Sequence, residues 1–175
     1  MNTSELRRCC IKLDSTLAVE VLPRDLLLSK EIRRFPAAFI VNTDSSKEPG
    51  RHWVAFYLEN EHHAEFFDSF GNSARYLANE FGAFLKRNVT HSIHNTKELQ
   101  GKDSTVCGQY CLFFLYHRCR RVAMADIVQM FSEDRKENDC LVSTFTNTKF
   151  GCNFPVSDVR FFEQQKKLRD VNVLS

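Results

Sequence analysis

Three side chains in this sequence are of the types that cooperate in thiol catalysis. His52 follows a Gly-Arg turn at the start of an apolar run, Asp68 lies within the segment FFDSFG, and Cys107 opens a second apolar run. A thiol nucleophile needs a base that takes its proton and a third group that orients that base. The three residues are therefore candidates for a Cys-His-Asp catalytic set.

Gln100 and the start of the second apolar run would support the same chemistry. Gln100 lies seven residues before Cys107, and its side-chain amide could donate, together with the backbone N–H of Cys107, to an oxyanion. A helix that begins at Cys107 would place the positive end of its dipole at the thiol, which favours the thiolate. Each residue alone also has an ordinary structural interpretation: a histidine on a strand, a buried thiol, or an aspartate in an Asx turn.

Alternating and β-branched apolar runs predict the strands that must position these residues. The predicted strands cover 36–43, 52–59, 63–70 and, more weakly, 88–96. Turn-forming residues at 43–50 and 59–62 separate the first three strands, so 52–59 and 63–70 should form an antiparallel hairpin. This pairing would bring His52 and Asp68 together.

Helical spacing of apolar residues predicts the remaining elements. The predicted helices cover 3–13, 23–28, 72–87, 107–119, 124–131, 134–146 and 156–169. The segment 107–119 is apolar nearly all round, which is typical of a helix buried at the centre of a domain. Strands in the first half and helices in the second favour an α+β fold, in which a small mixed sheet packs on this central helix.

Length and composition predict a single globular domain over 1–175. The chain has 43% hydrophobic and 26% charged residues, and its seven cysteines lack the spacing of a secreted disulfide module. No run approaches the roughly 20 apolar residues that cross a bilayer, and the first ten residues lack the apolar region of a signal peptide. We expect free thiols, a reducing intracellular compartment and no membrane association.

Two further clusters of side chains have alternative interpretations. Cys107, Cys111, His117 and Cys119 lie close together, but helical geometry turns Cys119 about a third of a turn away from Cys107, so no metal site is expected. The net charge is only +2, so the chain as a whole has no strong positive field that would require a nucleic-acid partner. Its local basic clusters are either solvated helix faces or a DNA-binding surface. These clusters are Arg7-Arg8, Arg33-Arg34, Arg118/Arg120/Arg121 and Lys166-Lys167/Arg169.

The strings IVNTDSSKEPGRHWVAFYLE, FFDSFG and LQGKDSTVCGQYCLFFL resemble the adenovirus maturation proteases, the adenain family. The resemblance runs from about residue 36 to 116, and the order His, acid, Gln, Cys is shared with deSUMOylating proteases of related fold. It implies that Cys107 is the nucleophile, that His52 is the general base and that Asp68 orients His52. It also implies that Gln100 lies in the oxyanion hole.

The same resemblance implies that Trp53 walls the substrate channel and that Gly108, which follows the nucleophile, contacts the substrate. Adenovirus proteases usually carry Glu at the position of Asp68, and they are activated by DNA and by a viral peptide linked to a cysteine before the Gln. No cysteine lies between Asp68 and Gln100. We therefore expect a divergent adenovirus or a Polinton/Maverick-like element, and activation by DNA and by a non-covalent peptide.

The resulting functional prediction is a monomeric cysteine endopeptidase that cleaves capsid and core precursor proteins during virion maturation. It would act in the virion and the host cell nucleus without a metal or small-molecule cofactor. A ubiquitin- or SUMO-specific isopeptidase is the alternative with the same catalyst. A non-catalytic module that binds DNA or capsid proteins is the alternative of a different class.

Overall fold

The computed structural model describes residues 1–13 and 17–152, and the predicted helix 156–169 lies outside them. The strands are β1 Val19–Pro23, β2 Ala37–Asn42, β3 Trp53–Leu58, β4 His63–Phe67 and β5 His91–His94. The helices are α1 Thr3–Cys10, α2 Ala74–Leu77, α3 Asn79–Asn88, α4 Cys107–Arg118, α5 Met124–Gln129 and α6 Arg135–Phe150, with a 3-10 helix at Arg24–Ser29.

The five strands form one mixed sheet in the order β1-β2-β3-β4-β5. The three central strands are antiparallel, whereas each edge strand runs parallel to its neighbour. The β3–β4 hairpin has the predicted antiparallel pairing. A mixed sheet with helices on both faces, including a buried central helix, confirms the predicted α+β class.

Strand β3 separates two apolar cores, and all six of its residues are buried. Trp53, Ala55 and Tyr57 belong to the core that α1, α4 and α6 complete. Val54 and Phe56 belong to the opposite core, which α2, α3 and the 3-10 helix complete. This alternation follows from the two-residue period of a strand, because successive side chains point to opposite faces of the sheet.

Helix α4 is the central helix, as its sequence predicted, because ten of its twelve residues are buried. It packs directly on β3 and also contacts α1, α5 and α6. Its first residue is Cys107. The most buried helix of the described chain therefore begins at the candidate nucleophile.

Several elements of the structure differ from those predicted. Strand β1 was not predicted, and the segment after Pro23 forms a 3-10 helix. The helix predicted over 72–87 is interrupted at Ala78, whose extended backbone (φ −161°, ψ 142°) separates α2 from α3. Helix α1 ends at Cys10 rather than at residue 13, and β5 is only four residues long.

The described residues offer neither a metal-binding cluster nor a membrane-spanning helix. Within 1–13 and 17–152, no group of three or more His, Cys, Asp or Glu side chains could hold a metal ion. In the same residues, every helix is too short or too polar to span a bilayer.

Candidate active site

The β3–β4 hairpin brings His52 and Asp68 together at one end of the sheet. His52 immediately precedes β3 and Asp68 immediately follows β4. Because the strands are antiparallel, the start of one lies beside the end of the other. The His52 Nε2 and Asp68 Oδ1 atoms are 2.6 Å apart. The predicted proximity of these two residues is thus present in the structure.

The Asp68 carboxylate is completely buried and surrounded by donors. Its Oδ1 accepts from His52 and from the Phe70 N–H at 3.2 Å. Its Oδ2 accepts from the N–H and the side-chain amide of Asn72, at 3.0 and 2.8 Å. The Asn95 side chain exchanges two hydrogen bonds with the Asp68 backbone. These contacts fix both the position and the rotation of the carboxylate.

Cys107 faces His52 from the first turn of α4. The two side chains are close enough to shift each other's pKa, and because Nε2 of His52 faces Asp68, Nδ1 is the ring nitrogen left for the thiol. Only 7% of the Cys107 surface is exposed. The helix N-terminus adds a positive potential that favours the thiolate.

The three groups shift one another's pKa in the direction of an ion pair. Burial alone would lower the pKa of His52, but the hydrogen bonds and charges of Asp68 and Cys107 outweigh it and raise the pKa to about 9. Burial alone would raise the pKa of Cys107, but the hydrogen bond and charge of His52 lower it. The pKa of Asp68 is lowered by His52 against its own burial. All three shifts therefore favour thiolate, imidazolium and carboxylate side by side.

Gln100 lies in the segment between β5 and α4 and is 1% exposed. Its backbone N–H donates to the Ser69 carbonyl at 3.1 Å. Its side-chain Oε1 accepts from the Ser69 hydroxyl at 2.7 Å, and its Nε2 donates to the Ser104 carbonyl at 2.8 Å. The next residue, Gly101, donates its N–H to the Asp139 carboxylate of α6 at 3.2 Å. The amide is therefore held in one orientation before any substrate arrives.

Trp53 and Gly108, the predicted substrate contacts, both lie against Met1. The Trp53 Nε1 donates to the Met1 carbonyl at 3.1 Å, and the ring is 8% exposed. A Cβ at position 108 would lie 3.1 Å from the Met1 Cβ and 3.4 Å from a Leu6 methyl. The substrate-binding roles of Trp53 and Gly108 stay predictions.

Three other buried thiols, Cys9, Cys10 and Cys111, differ from Cys107 in their electrostatic surroundings. Burial, together with its neighbour Cys152 at an Sγ–Sγ distance of 3.0 Å, raises the pKa of Cys9 to about 12. Burial likewise raises the pKa of Cys10 to about 12 and that of Cys111 well above its usual value. Of these four thiols, Cys107 is the one whose pKa a neighbouring base, His52, lowers despite burial.

One basic cluster of the sequence, Arg118/Arg120/Arg121, has a buried member, whereas Arg120 and Arg121 are exposed. Arg118 is 6% exposed and forms an ion pair with Glu65, with 2.6 Å between Nε and Oε2, and its guanidinium lies over the Tyr57 ring. Arg118 therefore belongs to the packing of α4 on the sheet. The cluster Lys166-Lys167/Arg169 lies outside the described residues.

Four residues that hold the site were not identified from the sequence. They are Ser69, Asn72, Asn95 and Asp139. Serine, asparagine and aspartate are common in turns for local reasons, so their type alone indicates no function.

Comparison with known proteins gives one family match and several relatives. The family model described as adenovirus endoprotease matches residues 31–154. The protease of porcine adenovirus A serotype 3 is 31% identical over 122 residues, covering 55% of this chain and 60% of that protein. The protease of bovine adenovirus C serotype 10 is 34% identical over 92 residues, covering 46% of this chain and 47% of that protein.

A cysteine protease of African swine fever virus is 29% identical over 98 residues, which cover 51% of this chain and 36% of that protein. The chain thus matches about half the length of the adenovirus relatives. Among solved structures, the central domain of an uncharacterized Legionella pneumophila protein, Lpg1148, has the same fold. Its TM-score is 0.55 at 16% identity, covering 86% of this chain and 96% of that domain.

Proposed function

The chain belongs to the adenovirus endoprotease family, and we propose that it is a cysteine endopeptidase with Cys107 as its nucleophile. The observation that carries the proposal is the contact of His52 with both Asp68 and Cys107 at the start of α4. Three groups of the required types, with pKa values displaced toward an ion pair, are the arrangement that thiol catalysis needs.

The proposed reaction proceeds in two steps. The Cys107 thiolate attacks the scissile carbonyl carbon, and the negative oxygen is stabilised by the Gln100 amide and the Cys107 N–H. The C–N bond then breaks as His52 gives its proton to the leaving amine, which leaves a thioester on Cys107. In the second step His52 takes a proton from water and the resulting hydroxide attacks the thioester carbonyl. The C–S bond breaks, which frees the acid product and returns Cys107 to the thiolate beside protonated His52.

Asp68 supports both steps by holding His52. Its carboxylate accepts from Nε2, which keeps Nδ1 directed at the sulfur and stabilises the imidazolium. Because Asp68 is buried and already accepts from three other donors, it is not required to move during the reaction.

The proposed substrates are viral capsid and core precursor proteins, cut after glycine. The glycine preference rests on the resemblance to adenovirus proteases, by which Trp53 would wall the channel and leave little width for a side chain in the residue before the cut. The proposed place of action is the virion and the host nucleus, where the protease acts as a monomer.

An isopeptidase that cleaves ubiquitin-like proteins is the second candidate. One relative from African swine fever virus, 29% identical over 98 residues, bears the name SUMO-1 cysteine protease. The catalyst would be the same in this case, and the substrate would be a folded domain with a Gly-Gly tail.

DNA and a viral peptide are the proposed activators, and no metal or small-molecule cofactor is proposed. DNA would bind through phosphate contacts to exposed basic residues such as Arg8, Arg33 and Arg34, without sequence preference and with a log–log salt slope near −0.9 per contact. A peptide would bind without a disulfide, because residues 69–99 contain no cysteine. Within the described residues, β5 is an exposed strand at the edge of the sheet, and such a peptide could add to it through backbone hydrogen bonds.

Hydrolysis of a Gly-Gly peptide ester tests the proposed activity. We expect turnover by the wild type, none by Cys107→Ala, and wild-type rates for Cys10→Ala, which removes a buried thiol of high pKa. Retention of more than about a tenth of the rate by Cys107→Ala would overturn the assignment, since loss of a nucleophile typically costs several orders of magnitude.

Capsid precursors and ubiquitin-like fusions, assayed side by side, separate the two candidate substrate classes. Cleavage of precursors supports the maturation protease, and preference for a folded ubiquitin-like domain supports the isopeptidase.

Titration of a labelled duplex at several salt concentrations tests the DNA proposal, which undetectable or salt-insensitive binding would contradict.

A further inference from the structure

We propose that Ser69 is a positioning residue that directs the Gln100 amide toward the oxyanion. The inference rests on the proposed function, because Gln100 acts on the reacting carbonyl only if the chain is a peptidase. Ser69 lies next to Asp68, and its hydroxyl oxygen is 2.7 Å from the Oε1 of Gln100. One short turn would then hold both the base and the oxyanion donor.

The chemistry of the neighbours determines which end of the Gln100 amide faces which partner. A backbone carbonyl only accepts, so the amide atom 2.8 Å from the Ser104 carbonyl must be the nitrogen. The amide oxygen then faces Ser69, whose hydroxyl must donate. One proton of Nε2 is used on Ser104, and the other is the proton that would reach the oxyanion.

Burial makes the Ser69 hydroxyl hard to replace. Ser69 and Gln100 are each 1% exposed, so bulk water cannot readily supply a substitute donor to the amide oxygen. A buried acceptor that loses its donor is destabilised in that orientation. Without Ser69 the amide would rotate or shift to find another donor, and its free N–H would leave the direction of the substrate.

The backbone of Ser69 has a separate role that survives removal of the hydroxyl. The Ser69 carbonyl accepts from the N–H groups of Leu99 and Gln100, at 2.8 and 3.1 Å. These bonds attach the segment that bears Gln100 to the end of β4. Ser69→Ala therefore removes the contact to the amide while leaving the path of the chain intact.

A double-mutant cycle distinguishes positioning from general structural support. Ser69→Ala should lower kcat about tenfold with little change in KM, because a misdirected donor weakens stabilisation of the transition state alone. Gln100→Ala should lower kcat by about 10²–10³. In the Gln100→Ala background, Ser69→Ala should have no further effect, since two changes that act through one group are not additive.

A second readout measures the orientation without catalysis. In the wild type, the Gln100 side-chain N–H signals, identified by their loss in Gln100→Ala, should be protected from hydrogen exchange. Ser69→Ala should remove much of this protection while the rate of Cys107 alkylation, which builds no oxyanion, stays the same. Thr146→Val is the matched control, because it removes a buried hydroxyl that bonds to the Val142 carbonyl within α6.

Several results would overturn the inference. One is an equal loss of kcat from Ser69→Ala in both backgrounds, which would make Ser69 a structural residue only. Another is unchanged kcat, or unchanged exchange of the Gln100 amide, in Ser69→Ala. The proposed function fails by a different result, namely a wild type that hydrolyses no peptide, and the exchange measurement still tests the Ser69 contact in that case.

Discussion

The Asp68→Asn variant alters the carboxylate that orients His52, a group whose hydrogen-bond partners are all defined in the structure. All four hydrogen-bond partners of the carboxylate are donors: His52 and the Phe70 N–H on Oδ1, and two N–H groups of Asn72 on Oδ2. An asparagine side chain presents one oxygen and one NH₂ group. Whichever way it is rotated, its NH₂ group must face donors on one side.

The consequence for His52 follows from the rotation of the substituted amide that keeps more hydrogen bonds. If the amide oxygen keeps the two bonds from Asn72, the NH₂ group faces Nε2 of His52, which must then accept. Neutral His52 would carry its proton on Nδ1, the nitrogen that faces Cys107. A ring in this tautomer cannot take the thiol proton, so the ion pair is lost.

The size of the effect can be worked from the pKa of His52. Burial opposes the charged ring, yet the pKa lies at about 9 rather than 6.5, which corresponds to about 3 kcal/mol in favour of the imidazolium. Asp68 is the first partner responsible for this rise. We expect kcat/KM to fall about 10²-fold in Asp68→Asn, and further in His52→Ala.

The pH profile has a predicted sign as well. The wild-type rate should fall as pH rises through about 9, because His52 then loses the proton that the leaving amine needs. In Asp68→Asn this alkaline limb should move toward the ordinary value of 6.5.

Peptide hydrolysis across both limbs of the pH profile measures the two effects of Asp68→Asn. Asp25→Asn, which removes an exposed carboxylate bonded to Ser46, serves as the control. The reasoning would be refuted if Asp68→Asn kept the wild-type kcat/KM and the alkaline limb of its pH profile did not move.

The remaining predictions concern thiol reactivity and stability. Iodoacetamide at neutral pH should modify Cys107 well before Cys9, because burial and the neighbouring Cys152 raise the pKa of Cys9 to about 12. Peptide mass spectrometry measures the order of labelling, and faster labelling of Cys9 would contradict the prediction. Arg118→Ala should destabilise the fold by about 3 kcal/mol in chemical unfolding, because Glu65 is left as a buried unpaired charge. Gly71→Ala should cost about 3 kcal/mol as well, since φ is +74° and a Cβ would lie 2.7 Å from a backbone oxygen; either variant unfolding like the wild type would refute its prediction.

The strands and helices that the sequence predicted correctly are those with a strong local pattern. Apolar runs preceded by turns define β2, β3 and β4, and the all-round apolar character of 107–119 identifies the central helix. Strand β1 was not predicted because only two of its five residues are buried and its partner β2 is reached through a crossover. The interruption at Ala78 has no glycine or proline to indicate it.

The candidate site was predictable where a residue type carries chemistry. His52, Asp68, Gln100 and Cys107 were identified by type, order and resemblance, and the structure brings the first two into contact. The polar groups that hold them, such as Ser69, depend on a long-range pairing of β4 with the segment before α4. Such a pairing has no local sequence pattern, so these residues became visible only in three dimensions.

The division of β3 between two cores has a consequence for folding. Cys107 lies on α4, which packs on one face of the sheet, while α2 and α3 pack on the other face. A partly folded chain with only the second face covered would contain His52 and Asp68 at the hairpin, but its Cys107 thiol would lack the neighbouring His52 that lowers its pKa. Rapid alkylation of Cys107 at neutral pH would then appear only after α4 docks, so thiol reactivity can be followed in time as a reporter of the last packing event.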